Sequence, residues 1–360
     1  MPDPQRTHQT TGTPQPGEPL AAFTTLRVGG PARTMVVAET EQELVDAVRA
    51  ADAAQEPVLL LGGGSNVLIS DQGFEGTVIL IRTRGIEAEV DEHTGARVTV
   101  AAGEPWDHFV AHAVAQGWSG IEALSAIPGL VGATPIQNVG AYGSEVAHTL
   151  TSVRALDRAT GELATFPAAE CGFGYRWSRF KAEPSRWVVL SVTFGLPLSE
   201  MSAPVRYAEL ARTLGIEVGE RADADAVREA VIGLRRGKGM VLDEADHDTW
   251  SAGSFFTNPI VSAEIAAGLP ERAPRFPTED GLVKTSAAWL IDHAGFAKGF
   301  GAEVGAGRAT LSTKHTLALT NRGAAAAEDL VALARMVRAG VEKKFGITLV
   351  PEPVLVGCAL

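Results

Sequence analysis

Residues 127–146, IPGLVGATPIQNVGAYGSEV, restrict what this 360-residue chain can fold into more than any other stretch. Gly129, Gly132, Gly140 and Gly143 interrupt its apolar steps, and Pro128 and Pro135 stiffen its backbone. Glycine admits positive φ and lets the main chain approach a ligand closely, whereas proline fixes φ and removes a donor. The stretch is too interrupted for a helix and too apolar for a solvated linker. It reads either as a backbone surface lying against a large, flat, phosphate-bearing ligand or as an irregular buried connection. Spacing alone leaves both open.

A second glycine segment favours the ligand. The apolar run at 58–61 predicts a strand leading directly into Gly62-Gly63-Gly64-Ser65-Asn66. Backbone N–H groups in such a loop form a nest for a phosphate or pyrophosphate. The dinucleotide fingerprint G-x-G-x-x-G fails, because its third glycine would fall on Val67, and no G-x-x-x-x-G-K-[ST] occurs. The nest therefore lies outside the Rossmann geometry, with a tight structural turn as the other reading. A net charge of -12 argues against nucleic acid as a partner. A small anion held by a few Arg or Lys is still allowed.

The length predicts two or three domains. Short strands are expected at 23–28 and 34–37. Thr40-Glu41-Gln42-Glu43 is a capping box that opens a helix over 44–54. Alternating segments at 87–90 and 97–101, and at 152–157 and 162–166, read as hairpins. Between them Trp106, Phe109, Val110, Ala113 and Val114 form a helical stripe. Helices are expected over 222–236, 286–293 and 324–344. A strand over 347–350 should return to the N-terminal βαβ unit. The acidic run Asp243 to Asp248, with His247, reads as a solvated loop rather than a metal site. Cys171 and Cys358 fit no metal or redox spacing and suggest a reducing compartment. The first 19 residues read as a disordered tail with no signal-peptide pattern. No apolar run approaches the roughly 20 residues of a membrane span. A cytoplasmic protein with no membrane partner is expected.

Three spots can carry chemistry. Arg176, wedged among the aromatics and glycines of GFGYRWS at 172–178, has a planar fork that suits a carboxylate; cation–π packing is the alternative. Ser254, in WSAGSFFTNP at 250–259, follows a glycine and precedes two phenylalanines, so its hydroxyl can sit in a dry pocket or simply in a buried turn. Glu352, between Pro351 and Pro353 beside an apolar run, is a candidate for a raised pKa or a plain surface acid.

Taken together, LGGGSNVL, IPGLVGATPIQNVGAYG, GYRWSRFK, AGSFFTNP and LVPE, in this order, closely resemble the UDP-N-acetylenolpyruvoylglucosamine reductase family. The resemblance covers nearly everything after the tail. It is to the subgroup whose loop carries a substrate-capping tyrosine. It implies an α+β fold: a two-part FAD-binding region of the vanillyl-alcohol-oxidase type, over 20–80 with 336–360 and over 81–220, and a separate α+β substrate-binding domain over 221–335. It implies FAD as cofactor and NADPH as hydride donor. The reaction completes UDP-N-acetylmuramate for bacterial peptidoglycan, hydride passing by way of FAD to the vinyl CH2 of an enolpyruvyl ether.

By the same resemblance Arg176, Ser254 and Glu352 are catalytic, with Ser254 as proton donor. The FAD contacts are Gly62, Gly63, Gly64, Ser65 and Asn66, with Ile127, Pro128, Gly129, Ala133, Thr134, Val139, Gly140 and Tyr142. Substrate contacts fall on Tyr175, Tyr207, Lys238, Asn258 and His315, and no metal is implied. Thr257 stands where many relatives carry lysine, and Pro353 follows Glu352 where valine is more usual. The nucleotide sugar and NADPH are expected to share one site on a monomer. Two other functions compete: a hydroxy-acid or sugar-lactone oxidase on the same scaffold, and a nucleotide-sugar sensor without flavin. Yellow protein that bleaches with NADPH separates enzyme from sensor.

Overall fold

Thr40 starts the first helix as its sequence predicts. Its hydroxyl accepts from the Glu43 amide at 3.2 Å, and the Glu43 carboxylate accepts from the Thr40 amide at 3.1 Å. The resulting helix, Glu41–Ala53, connects strands Ala32–Ala38 and Val58–Leu61. Both pair in parallel with Phe74–Ile81, which lies between them. That central strand is an almost continuous buried run, as a strand covered on both faces must be. Leu44, Val45 and Val48 on the helix pack against Ile79 and against Leu156, Val188 and Leu190 of a second sheet, which locks the two layers together. The computed structural model describes residues 17–278 and 280–360, so the expected tail lies outside the described residues except for 17–19.

The second sheet is antiparallel, in the order Glu162–Pro167, Leu150–Asp157, Trp187–Leu196, Gly95–Ala101, Ile86–Asp91. Both predicted hairpins form. The helix Trp106–Ala115 covers one face, and the rings of Trp106, Phe109 and Phe194 lie 5.1–5.9 Å apart at its centre.

A third core gathers residues from 252 to 349 around helix Ala327–Phe345 and takes in Leu26, Val28 and Leu68 from the N-terminal region. The helix stays in this core along its length, so the boundary expected at 335/336 falls inside one packed element. Helix Ala224–Gly237 instead docks on residues 107–126. Arg228 donates two hydrogen bonds to Asp107, at 2.6 and 2.9 Å, and the Ala126 amide donates to the same carboxylate. Removing one member of a largely buried ion pair leaves the other charge uncompensated. Asp107→Ala should therefore lower stability by about 3 kcal/mol, read as a fall in the urea midpoint.

Two expected strands are not formed where the sequence placed them. Residues 23–28 are instead a 3-10 turn, Leu20–Phe23, followed by irregular chain in which Arg27 has φ +55°. The final strand is Val354–Val356 rather than 347–350; it pairs in parallel with Val67–Ile69, so it does return to the N-terminal unit. Pro351 and Pro353 supply no N–H donors, which delays regular pairing until the chain has passed them.

Candidate active site

The two glycine segments meet backbone to backbone. A Cβ on Gly63 would lie 2.9 Å from the Gly129 Cα, and one on Gly64, at φ +60°, would lie 1.9 Å from the Phe23 carbonyl oxygen. The Ser65 hydroxyl donates to the Pro128 carbonyl at 3.0 Å. A cleft beside this junction is lined by Gly63, Pro128 and Gly129 together with Phe23, Arg27 and Trp250. A bare main-chain cradle with amides in place of side chains is what a dinucleotide-type cofactor needs for close approach. The residues present thus fit FAD.

Gly63→Ala forces a methyl group into the junction. Bound flavin should fall with it, the affinity for FAD dropping by at least about tenfold, read as the ratio of 450 to 280 nm absorbance after gel filtration.

The rest of the 127–146 segment serves different ends of the site. Ile127 and Val139 pack on the core of the antiparallel sheet. Ala133 closes the 3-10 turn Val131–Ala133, and the buried Thr134 hydroxyl donates to the Val131 carbonyl at 2.8 Å. The Gly140 carbonyl and Tyr142 reach the two side-chain groups described next.

Arg176 and Glu352 meet from distant parts of the chain, and the segment that carries Ser254 runs against the Glu352 backbone. Arg176 Nε lies 3.0 Å from Glu352 Oε1, both side chains being mostly buried, and Arg176 Nη2 donates to the Gly140 carbonyl at 2.8 Å. Arg176 holds φ +53°, a left-handed conformation uncommon for a residue with a side chain. The Glu352 amide donates to the Phe255 carbonyl at 2.9 Å, and Thr257 N donates to the Val350 carbonyl at 3.0 Å. This antiparallel contact sets Ser254 beside Glu352. Ser254 is half-buried, and among the described residues nothing pairs with its hydroxyl. Burial pushes the Glu352 carboxyl pKa up, against the opposing pull of Arg176 and Lys181. A fixed guanidinium and a carboxyl that burial disposes to hold its proton thus lie together, and the segment that carries the half-buried Ser254 pairs with the Glu352 backbone.

Asn66 ties the glycine loop to this group, its side-chain amide donating to the Glu352 carbonyl at 3.4 Å and to Gln137 Oε1 at 3.1 Å. On the other side Tyr175 lies close enough to Asn258 for its hydroxyl to feel that residue's polar groups, and the Lys284 ammonium lies 4.5 Å from the Tyr175 ring centre.

The second group is made of Tyr142, Tyr207, Lys238 and His315. The two tyrosine rings meet edge to face at 5.4 Å, and Lys238 Nζ lies 5.4 Å from the Tyr142 ring centre. His315 is pushed down to about 4 by burial, with Lys238 and Lys298 adding to the effect, so its imidazole is neutral at pH 7. Its Nδ1 accepts from the Leu317 amide at 3.1 Å, which places the proton on Nε2. Every side chain that the sequence singled out for substrate thus lies in one of two groups, around Tyr175 or around Lys238.

Residues 32–166 match the family described as FAD binding domain, and residues 244–356 match UDP-N-acetylenolpyruvoylglucosamine reductase, C-terminal domain. The UDP-N-acetylenolpyruvoylglucosamine reductase of Cutibacterium acnes is 60% identical over 342 residues, covering 95% of this chain and 90% of that protein. The chain belongs to the UDP-N-acetylenolpyruvoylglucosamine reductase family. The Streptomyces avermitilis protein of the same name is 57% identical, covering 95% of this chain and 94% of its own. The crystal structure of the Thermus caldophilus UDP-N-acetylenolpyruvylglucosamine reductase superposes with a TM-score of 0.64 at 26% identity, covering 94% of this chain and 97% of that one. The expected α+β architecture, an FAD-binding region followed by a separate reductase C-terminal domain, is thereby confirmed.

Three residues of this reductase-family site were not singled out from sequence. Gln137 donates to Glu352 Oε1 at 3.3 Å. Lys181 donates to the Arg176 carbonyl at 3.0 Å, and burial lowers its pKa. Glu209 pairs with Lys238. Gln137 lies inside the glycine-rich segment and Lys181 inside GYRWSRFK, so both were within reach of a reading by segment. The acidic run is the solvated loop expected at Asp243, Glu244 and Ala245, which are exposed, but not at its end. Asp248 is buried, accepting from the Thr313 amide at 2.8 Å and from Arg322 at 3.0 Å, two residues before Trp250 on the wall of the cleft beside the glycine junction.

Proposed function

We infer that this protein is an NADPH-dependent flavoenzyme that reduces UDP-N-acetylenolpyruvoylglucosamine to UDP-N-acetylmuramate, a precursor of peptidoglycan and so of wall growth and division. The observation that carries the reading is the 3.0 Å approach of Arg176 to Glu352, with the Ser254 segment hydrogen-bonded to the Glu352 backbone. Bound FAD supplies the hydride carrier between NADPH and the vinyl carbon.

The chain's own residues supply the rest. As the vinyl end accepts hydride, the neighbouring carbon, conjugated to a carboxylate, gains enolate-like charge. Preorganised charge and donors aimed at such a centre are the largest single source of rate. Arg176 gives the fixed cation, and Glu352, protonated, donates a further hydrogen bond. Ser254 Oγ–H gives its proton to the carbon. A hydroxyl is a weak acid, but the carbanion is a strong base, and the transfer is downhill.

Gly62, Gly63, Gly64, Ser65 and Asn66, with the 127–142 contacts, hold FAD. Tyr175 and Asn258 hold one part of the nucleotide sugar, and Tyr207, Lys238 and His315 hold another, with Tyr207 as the capping residue of the tyrosine-loop subgroup. NADPH and the nucleotide sugar occupy this site in turn, on a monomer in the cytoplasm. Anaerobic stopped-flow absorbance tests the reading. NADPH should bleach the flavin band, and the enolpyruvyl nucleotide sugar should restore it. Bleaching reversed only by oxygen with hydroxy acids or sugar lactones would refute the assignment in favour of an oxidase.

A further inference from the structure

Lys238 already has an anion. Its Nζ lies 2.5 Å from Glu209 Oε2, and both side chains are partly open to solvent. Burial is the strongest single influence and lowers the ammonium's pKa, but the Glu209 hydrogen bond together with charge interactions from Tyr142, Glu209 and Tyr207 turns the net shift upward. Glu209 lies in helix Ala208–Leu214, whose N-cap is Tyr207, so the carboxylate and the capping ring ride on one short element. That helix packs through Leu210 and Ala211 on Val227 and Val231 of the helix that ends at Gly237, just before Lys238. The ion pair therefore closes a contact between two elements whose packing already sets them side by side. Tyr142 and His315, the other close neighbours, are neutral at pH 7, because burial raises the first and lowers the second. Glu209 acts electrostatically on both Lys238 and His315.

We propose that Glu209 is a built-in stand-in for the ligand's diphosphate, a positioning residue that Lys238 must release before it can grip the nucleotide. The inference rests on the reading of Lys238 as a diphosphate contact. Each binding event then exchanges one charge-assisted bond for another, and the diphosphate gains only the difference between the two. The exchange also keeps a partly buried ammonium from standing unpaired between ligands when two diphosphate-bearing ligands use one site in succession.

Isothermal titration of the FAD-loaded protein with UDP tests this. Glu209→Gln leaves Lys238 without its competitor, and UDP should bind about fivefold more tightly. Glu209→Ala should shift affinity in the same direction, and Glu209→Asp should return it toward the wild-type value. A purely structural tie between the two helices predicts the opposite sign, weaker binding in Gln and Ala alike. Unchanged or weakened UDP binding in Glu209→Gln overturns the proposal. Lys238→Met separates the two layers of the argument. If it leaves UDP affinity unchanged, the assignment of Lys238 to the diphosphate fails. If it weakens UDP binding while Glu209→Gln does not strengthen it, only the stand-in role fails.

Discussion

Replacing Ser254 by alanine should leave bleaching of the flavin by NADPH near its normal rate and slow reduction of the enolpyruvyl ether by at least about a thousandfold. The asymmetry follows from what the hydroxyl does. NADPH oxidation needs no proton delivered at carbon, so the first half-reaction does not use it. The second ends on a carbanion that must be protonated on one face, and Ser254, whose hydroxyl has no partner among the described residues, sits in the segment paired with the Glu352 backbone. Loss of a single oxyanion donor costs roughly 10²–10³ in rate, and loss of the sole proton source costs more. Single-turnover stopped flow resolves the two halves. Equal slowing of both would refute the proton-donor role.

Glu352→Ala should slow the same half-reaction by about 10²–10³-fold, whereas Glu352→Gln should keep much of the rate. Alanine removes a donor aimed at the developing charge, while the glutamine amide still donates. The pH dependence gives an independent reading. Burial raises the Glu352 pKa, so its protonated, donating form prevails below that raised value and is lost as pH climbs through it. Wild-type reduction of the nucleotide sugar should therefore decline on the alkaline side. Glu352→Gln, which has no proton to lose there, should lack that limb. A wild-type profile that rises through this range would mean that the carboxylate, not the acid, is the working form. Arg176 holds Oε1 from the other side, at 3.0 Å. Arg176→Lys should do worse than its conserved charge suggests, because a single ammonium cannot span both Glu352 and the Gly140 carbonyl.

Local structure was legible wherever short-range physics decides it. The capping box at Thr40, the hairpins and the helix over Ala224–Gly237 rest on interactions within a few residues, and the glycine loop at 62–66 was legible by residue type although it packs on the distant Phe23 and Gly129. The strand expected at 23–28 failed for a non-local reason, since Thr24 to Val28 turn inward to meet Gly64 and the third core. The last strand was misplaced by seven residues at its start, because flanking prolines moved the pairing without removing it. The acidic run was read correctly at its exposed start, Asp243 and Glu244, but not at its end, because charge count suggests water whereas Asp248 is buried with hydrogen-bond and ion-pair partners at Thr313 and Arg322.

The site divides along the same line. Arg176, Ser254 and Glu352 were each ambiguous in isolation, and only their joint resemblance to one family singled them out. Gln137 carried no signal of its own, since its value comes from a partner 215 residues away. Glu209 was not singled out from sequence, and only folding set it against Lys238. By itself, then, the sequence determined the glycine cradles, the capped helices and the residue types available for chemistry, because backbone freedom and side-chain identity are properties of the chain. Which groups become neighbours, and the raised pKa of Glu352, were decided only by the tertiary structure. Burial and charge pairing act through space, and they depend on distances that do not exist until the three cores have packed.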